Sequence, residues 1–216
     1  MRLQIVTDAA SEPVTLADAK LFCRVDTNAD DDTITGLITA ARRRVERDTG
    51  LALLTQTWRM VLDRWPGQKP GGLSPWWDGV KEGPISMLTG VSTIEIPKRP
   101  YQSCDWIKLR DAYGAQVTVD ASIYFEERSN YDGRIIKKLG QIWPVIVLSP
   151  TAAIEVQFKA GFDADPWGAV PDELLVALKQ LVKHWFDQRD TIVDGRSSTV
   201  PHGYAEIVNS WRAGRV

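Results

Sequence analysis

Residues 29–50, ADDDTITGLITAARRRVERDTG, decide how the rest of the chain is read. Asp30, Asp31 and Asp32 put carboxylates where a helix N-terminus presents unpaired N–H groups and the positive end of its dipole. Ile34, Leu37, Ile38, Ala41 and Val45 follow at the spacing of one apolar stripe. Arg42, Arg43, Arg44 and Arg47 gather toward the far end, favourable to the C-terminal dipole, and Gly50 offers the left-handed residue that stops the helix. Such a stripe must be buried. Its one comparable partner, Leu174, Leu178, Leu181, Val182 and Trp185 within residues 171–189, lies far downstream behind a proline suited to a first helical turn. The two ends of the chain are therefore expected to form one helical base around an inserted middle.

Working outward, residues 1–14 read as an irregular arm ending at Pro13. TLADAKLFCRV then reads as a short helix, capped by Thr15 with Asp18 three positions on. At residue 53 the period changes from 3.6 to 2. Leu54, Gln56, Trp58, Met60 and Leu62 alternate with Thr55, Thr57, Arg59 and Val61, which predicts a strand over residues 53–63. Residues 66–84, PGQKPGGLSPWWDGVKEGP, hold four prolines and five glycines and predict an exposed loop. Short strands are predicted at residues 91–96, 106–110, 116–119, 123–127, 134–139 and 154–160, with a hairpin turn at Asn130-Tyr-Asp-Gly133. The fold class is thus α+β: a helical base formed by N- and C-terminal helices, with an inserted small antiparallel β domain. The expected boundaries are 1–52 for the N-terminal helical part and 53–161 for the β domain with its loop at 66–84. Residues 162–190 supply the completing helix, and 191–216 a flexible C-terminal docking tail, within which Tyr204, Ile207, Val208 and Trp211 form a short amphipathic turn of helix, the alternative being a final helix folded back on its own domain.

Composition restricts the function. With 216 residues and 44% apolar content the chain can bury a sizeable core, and its N-terminus lacks the pattern of a signal peptide, so a cytoplasmic product is expected. No apolar run is long enough for a membrane span. A formal charge of −2 argues against gripping nucleic acid through a net field. Cys23 and Cys104 stand far apart with two histidines in the whole chain, too few for a zinc site or disulfide framework. His184 lies within an apolar helical stripe and His202 in the tail. The three aspartates lack the spacing of a calcium loop, and the glycines of GQKPGG do not lead into the Lys-Ser/Thr of a phosphate loop. No catalytic residues and no cofactor or metal are expected. Nine tryptophans, five of them between residues 58 and 106, suggest either an assembly surface or a face that stacks on sugars, unless they serve as core and loop anchors.

With the segments in order, the chain resembles the head–tail connector, or head-completion adaptor, family of tailed bacteriophages and gene transfer agents. The resemblance is carried by PVTLADAKLFCRV, the organising helix, LLTQTWRMVLDRWP, IPKRPYQSCDWIKLRDAYG and GQIWP. It continues through IEVQFKAGFDADPWGAVPDELLVALKQLVKHWFDQRD to VPHGYAEIVNSWR. It implies a non-enzymatic virion protein at the head–tail junction, in the host cytoplasm during assembly. About twelve copies would form a ring on the portal protein, link it to the next connector or tail protein, and let packaged DNA pass without specific binding. It also implies portal docking by the C-terminal segment, here Val200, Pro201, Tyr204, Ile207, Val208, Trp211, Arg212 and Arg215. From the helix itself, Asp30, Asp31, Asp32, Arg42, Arg43, Arg44 and Arg47 are candidates for contacts between ring neighbours, the alternative being a solvated face. Trp76 and Trp77 are candidates for packing on their own chain or on another subunit. The runner-up function is a carbohydrate- or cell-surface-binding β module using exposed tryptophans.

Overall fold

The computed structural model describes residues 1–66, 93–188 and 201–212. The expected loop at 66–84, with Trp76 and Trp77, falls outside them apart from Pro66, as do Val200 and Arg215. The chain divides into a β unit, Met1–Asp8 with Gln56–Ala160, and a helical unit, Ala9–Thr55 with Gly161–Val216.

In the helical unit, α1 spans Leu16–Cys23 and α2 Asp31–Thr49, followed by α3, Asp172–Asp187, and α4, His202–Trp211. α1 starts as its sequence dictates, the Thr15 hydroxyl accepting the Asp18 N–H at 3.1 Å. α2 ends at Gly50, left-handed at φ 80°. The apolar stripe Ile34, Ile38, Ala41 and Val45 is fully buried and α2 packs on α3, whose Leu174, Ala177, Leu178, Leu181 and Val182 are buried in turn. Each buried Ile or Leu contributes about 1.5–3 kcal/mol, which makes this packing the main support of the unit. Asp31 and Asp32 lie in the first turn of α2, but the capping residue Asp30 makes no side-chain hydrogen bond to the helix.

The β unit is antiparallel throughout. A five-stranded sheet has the order β1-β2-β8-β4-β5, formed by Arg2–Thr7, Gln56–Leu62, Ile154–Ala160, Tyr101–Arg110 and Gln116–Thr118. A three-stranded sheet has the order β3-β7-β6, from Thr93–Ile96, Asp132–Lys137 and Tyr124–Ser129. β8 is central, and its Ile154, Val156, Phe158 and Ala160 are all buried on one face. The N-terminal arm is a correction: residues 2–7 are a strand on β2, with Leu3 opposite Met60 and Ile5 opposite Trp58. The hairpin turn also moves by one residue, because Asn130 and Tyr131, both at positive φ, form the two-residue loop and Ser129 pairs with Asp132.

Gly133 is thereby released from the turn to serve a different need. The fully buried Tyr101 ring lies against it, and a Cβ at that position would sit 2.2 Å from the Tyr101 Cγ. Gly36, inside α2, has nothing within 4 Å of the same atom. The two glycines therefore predict opposite outcomes in chemical denaturation. Gly133→Ala loses at least about 2 kcal/mol by overpacking, whereas Gly36→Ala gains up to about 1 kcal/mol from helix propensity.

Candidate functional site

The arginines of α2 divide into two sets. Arg42 turns inward: its side chain is 3% exposed, with Nε 2.9 Å from Glu12 and a terminal nitrogen 3.3 Å from Glu46. It is thus removed from the candidates for contact between subunits, because its charge is already matched by two carboxylates of its own chain. The signal was in the spacing, since Arg42 stands four residues after the buried Ile38 and four before Glu46. Arg43 is exposed and Arg44 half-buried, while Arg47 is 70% exposed. At the other end, Asp31 pairs with Lys20 of α1 at 2.7 Å, Asp32 is exposed and Asp30 half-buried.

The outward end of α2 meets the C-terminal segment. The Asp48 carboxylate lies 2.5 Å from Arg44 Nε and 3.7 Å from Arg47 Nε, and it accepts the Tyr204 hydroxyl at 2.9 Å. Arg212 Nε donates to the Asp48 carbonyl oxygen at 3.2 Å, and Trp211 Nε1 donates to Glu173 of α3 at 2.7 Å. Tyr204 and Val208 are buried, Pro201, Ile207 and Trp211 half-buried, and Arg212 exposed. The expected flexible tail is, over residues 202–211, a helix packed on its own helical unit. Two sets of candidates that sequence reasoning kept apart, Arg44 and Arg47 on one side and Tyr204 and Arg212 on the other, converge on Asp48.

The electrostatics follow from this geometry. Burial alone would raise the Asp48 carboxyl, but the hydrogen bonds from Arg44 and Tyr204 and the charges of Arg44 and Arg47 outweigh it and hold the group below its usual value. Burial and the Asp48 hydrogen bond push the Tyr204 hydroxyl up, keeping it a donor. Burial, with the nearby Glu126 charge adding to it, pushes the Cys104 thiol up to about 12, which disfavours the thiolate at neutral pH.

Among the described residues no group of three His, Cys, Asp or Glu side chains is placed to hold a metal ion, and no helix is long and apolar enough to cross a membrane. His184 lies half-buried in the last turn of α3. A polar hollow of about 120 Å³ at the β6–β7 hairpin is lined by Glu127, Ser129, Asn130, Asp132 and Arg134. Several tryptophans are engaged within the β unit: Trp65 stacks on Trp143 at 4.5 Å, Lys98 lies over Trp58, and Arg59 and Lys108 lie over Trp106. That engagement leaves a sugar-stacking role without support from these four rings.

Two measurements separate the roles of these side chains. Arg42→Ala leaves the buried Glu46 carboxylate without the guanidinium charge beside it and is expected to cost about 3–5 kcal/mol in a denaturant titration, whereas Arg47→Ala stays within about 0.5 kcal/mol. Tyr204→Phe is expected to lose about 0.5–1.5 kcal/mol at pH 7. The folded Asp48 carboxyl lies below its unfolded value, so its contribution is full above that value and is lost as pH falls through the folded one. The stability gap between wild type and Tyr204→Phe should accordingly narrow in that acid window, read by thermal melts from neutral pH downward.

Residues 13–93 match the model of the family described as Phage gp6-like head-tail connector protein. No curated protein matches the chain. Among solved structures, the chain is similar over 100% of its length to 97% of a chain in the neck of an empty GTA particle computed with C6 symmetry, at 23% identity and a TM-score of 0.72. It is likewise similar to a chain in the virion of a native gene transfer agent particle, at 24% identity and a TM-score of 0.71, with coverage of 100% and 97%. A third likeness, with the same coverage, is to a chain in the neck of a native GTA particle computed with C12 symmetry, at 24% identity and a TM-score of 0.67. The resemblance stated from the residues agrees with these findings: residues 13–93 match the phage gp6-like head-tail connector model, and the α+β fold of the whole chain is similar to that of gene transfer agent neck chains.

Proposed function

We propose that this protein is a structural, non-enzymatic connector of the virion neck. In this reading identical copies form a ring on the portal vertex and present a platform to the next connector or tail protein. The observation that carries it is the end-to-end likeness to neck chains, including both the helical and the β portions, with a connector domain over residues 13–93. A ring of twelve copies agrees with the symmetry used for one of those necks. A ring built by rotation needs two different surfaces per copy, and each copy then meets its neighbours through unlike patches. Asp32, Arg43 and Arg47, exposed on α2, are the charges of the original candidate set best placed for such contacts. A formal charge of −2 suits a channel through which packaged DNA slides, because a strongly basic wall would hold the phosphates. Assembly in the host cytoplasm belongs to the same reading.

The C-terminal segment is the proposed portal-docking element. Ile207 and Trp211 of α4 are half-buried, and Arg212, which caps the end of that helix, is exposed, so an apolar contact and a cation can reach a partner together. The test is co-sedimentation of the full chain, and of a chain ending at Asp194, with a purified portal ring. The full chain is expected to bind in a discrete stoichiometry and the shortened chain to lose binding while its β unit still melts cooperatively. Equal binding by both would end the docking assignment, and a full chain indifferent to the portal would end the connector reading.

A further inference from the structure

The five-stranded sheet has an open edge that nothing among the described residues covers. β1 is outermost in the order β1-β2-β8-β4-β5, hydrogen-bonded to β2 on one side only. All six of its residues are exposed, and three are large and apolar: Leu3 at 38%, Ile5 at 46% and Val6 at 44%. Leu3 stands opposite the fully buried Met60, so it belongs to the core face of the sheet and is left half in water only because the sheet stops there. Open edges invite pairing, and proteins that must keep them free use lysines, prolines, inward charges or a bulge that turns the strand away. RLQIVT has no lysine and no proline, and its one register shift comes at the end, between Ile5 and Thr7.

The opposite edge of the same sheet is open in the same sense. β5, Gln116–Thr118, pairs with β4 alone, all three residues are exposed, and Val117 is 39% exposed. One sheet therefore ends in two unlike edges, each with unpaired main-chain groups and apolar side chains. Adding one edge to the other joins identical chains head to tail, the kind of contact that closes into a ring when the rotation allows.

We propose that the β1 edge is completed by a second copy of this chain, whose β5 edge adds to it and carries the sheet from subunit to subunit. This rests on the ring reading given above. Main-chain hydrogen bonds supply the register, and burial of Leu3, Ile5, Val6 and Val117 supplies the apolar contribution that three short residues of ladder lack.

The experiment uses the full chain, with mass measured first by light scattering alone and on the portal ring. Amide hydrogen exchange is then compared between the isolated and assembled forms. Residues 2–7 and 116–118 are expected to slow together on assembly, by about tenfold or more. Leu3→Lys with Ile5→Lys disables one edge and Val117→Lys the other, each outside the helical unit. Either variant alone should stay monomeric with a melting temperature near that of the wild type. Their equimolar mixture should give pairs and no rings, since one junction is intact and the other is not. A ring in which residues 2–7 exchange as fast as in the monomer overturns the edge assignment and leaves the ring reading standing. So does protection, already in the monomer, of the β1 amides that point away from β2, or rings formed by the edge variants. A wild-type chain that never assembles overturns both.

Discussion

Glu46 is the constraint on which the helical unit depends. Its carboxylate is buried in the last turns of α2, where one oxygen faces the Arg42 guanidinium and the other accepts the main-chain N–H of Leu53 at 3.0 Å. A buried carboxylate is tolerable only when its charge and lone pairs are met. Here the two partners also set direction, because Leu53 lies in the fully buried run Leu51–Leu54 that leads out of the helix toward β2. The acid therefore fixes the point where helical periodicity gives way to alternation. Gly161 completes the arrangement from the returning chain: a Cβ there would lie 2.2 Å from the Leu54 carbonyl oxygen, and its φ of 144° suits glycine alone.

What could be read from the residues alone depended on how local the cause was. The end of α2 at Gly50, the Thr15–Asp18 cap and the alternation of β8 are written in neighbouring residues, and the structure places all three where the sequence puts them. β1 was missed although Leu3 and Ile5 alternate with Gln4, because an edge strand becomes one only by pairing with β2, more than fifty residues away. The Asn130–Tyr131 turn was misplaced for a similar reason. Asp-Gly is the stronger hairpin signal, but Gly133 is needed beneath Tyr101, and that contact is tertiary.

The candidate surfaces divide along the same line. Counting arginines on α2 suggested a charged face, yet a guanidinium four residues from a buried isoleucine was already committed to the interior. α4 was legible as an amphipathic helix from Tyr204, Val208 and Trp211. Nothing in those residues says that Asp48 and Glu173 of the same chain receive them. Apolar periodicity announces that a helix has a buried face and is silent about what buries it.

The division of the chain into units bears on how it is made. The β unit uses residues up to 160, while the helical unit needs α3, which begins about 120 residues after α2 ends. During synthesis the β strands can therefore close as soon as β8 leaves the ribosome, whereas Ile34, Ile38 and Val45 wait for their partner. At ribosomal rates that wait is on the order of ten seconds. The chain spends it with an apolar helix face open to water, so nascent chains on crowded polysomes are most prone to wrong association before Leu174–Val182 arrive.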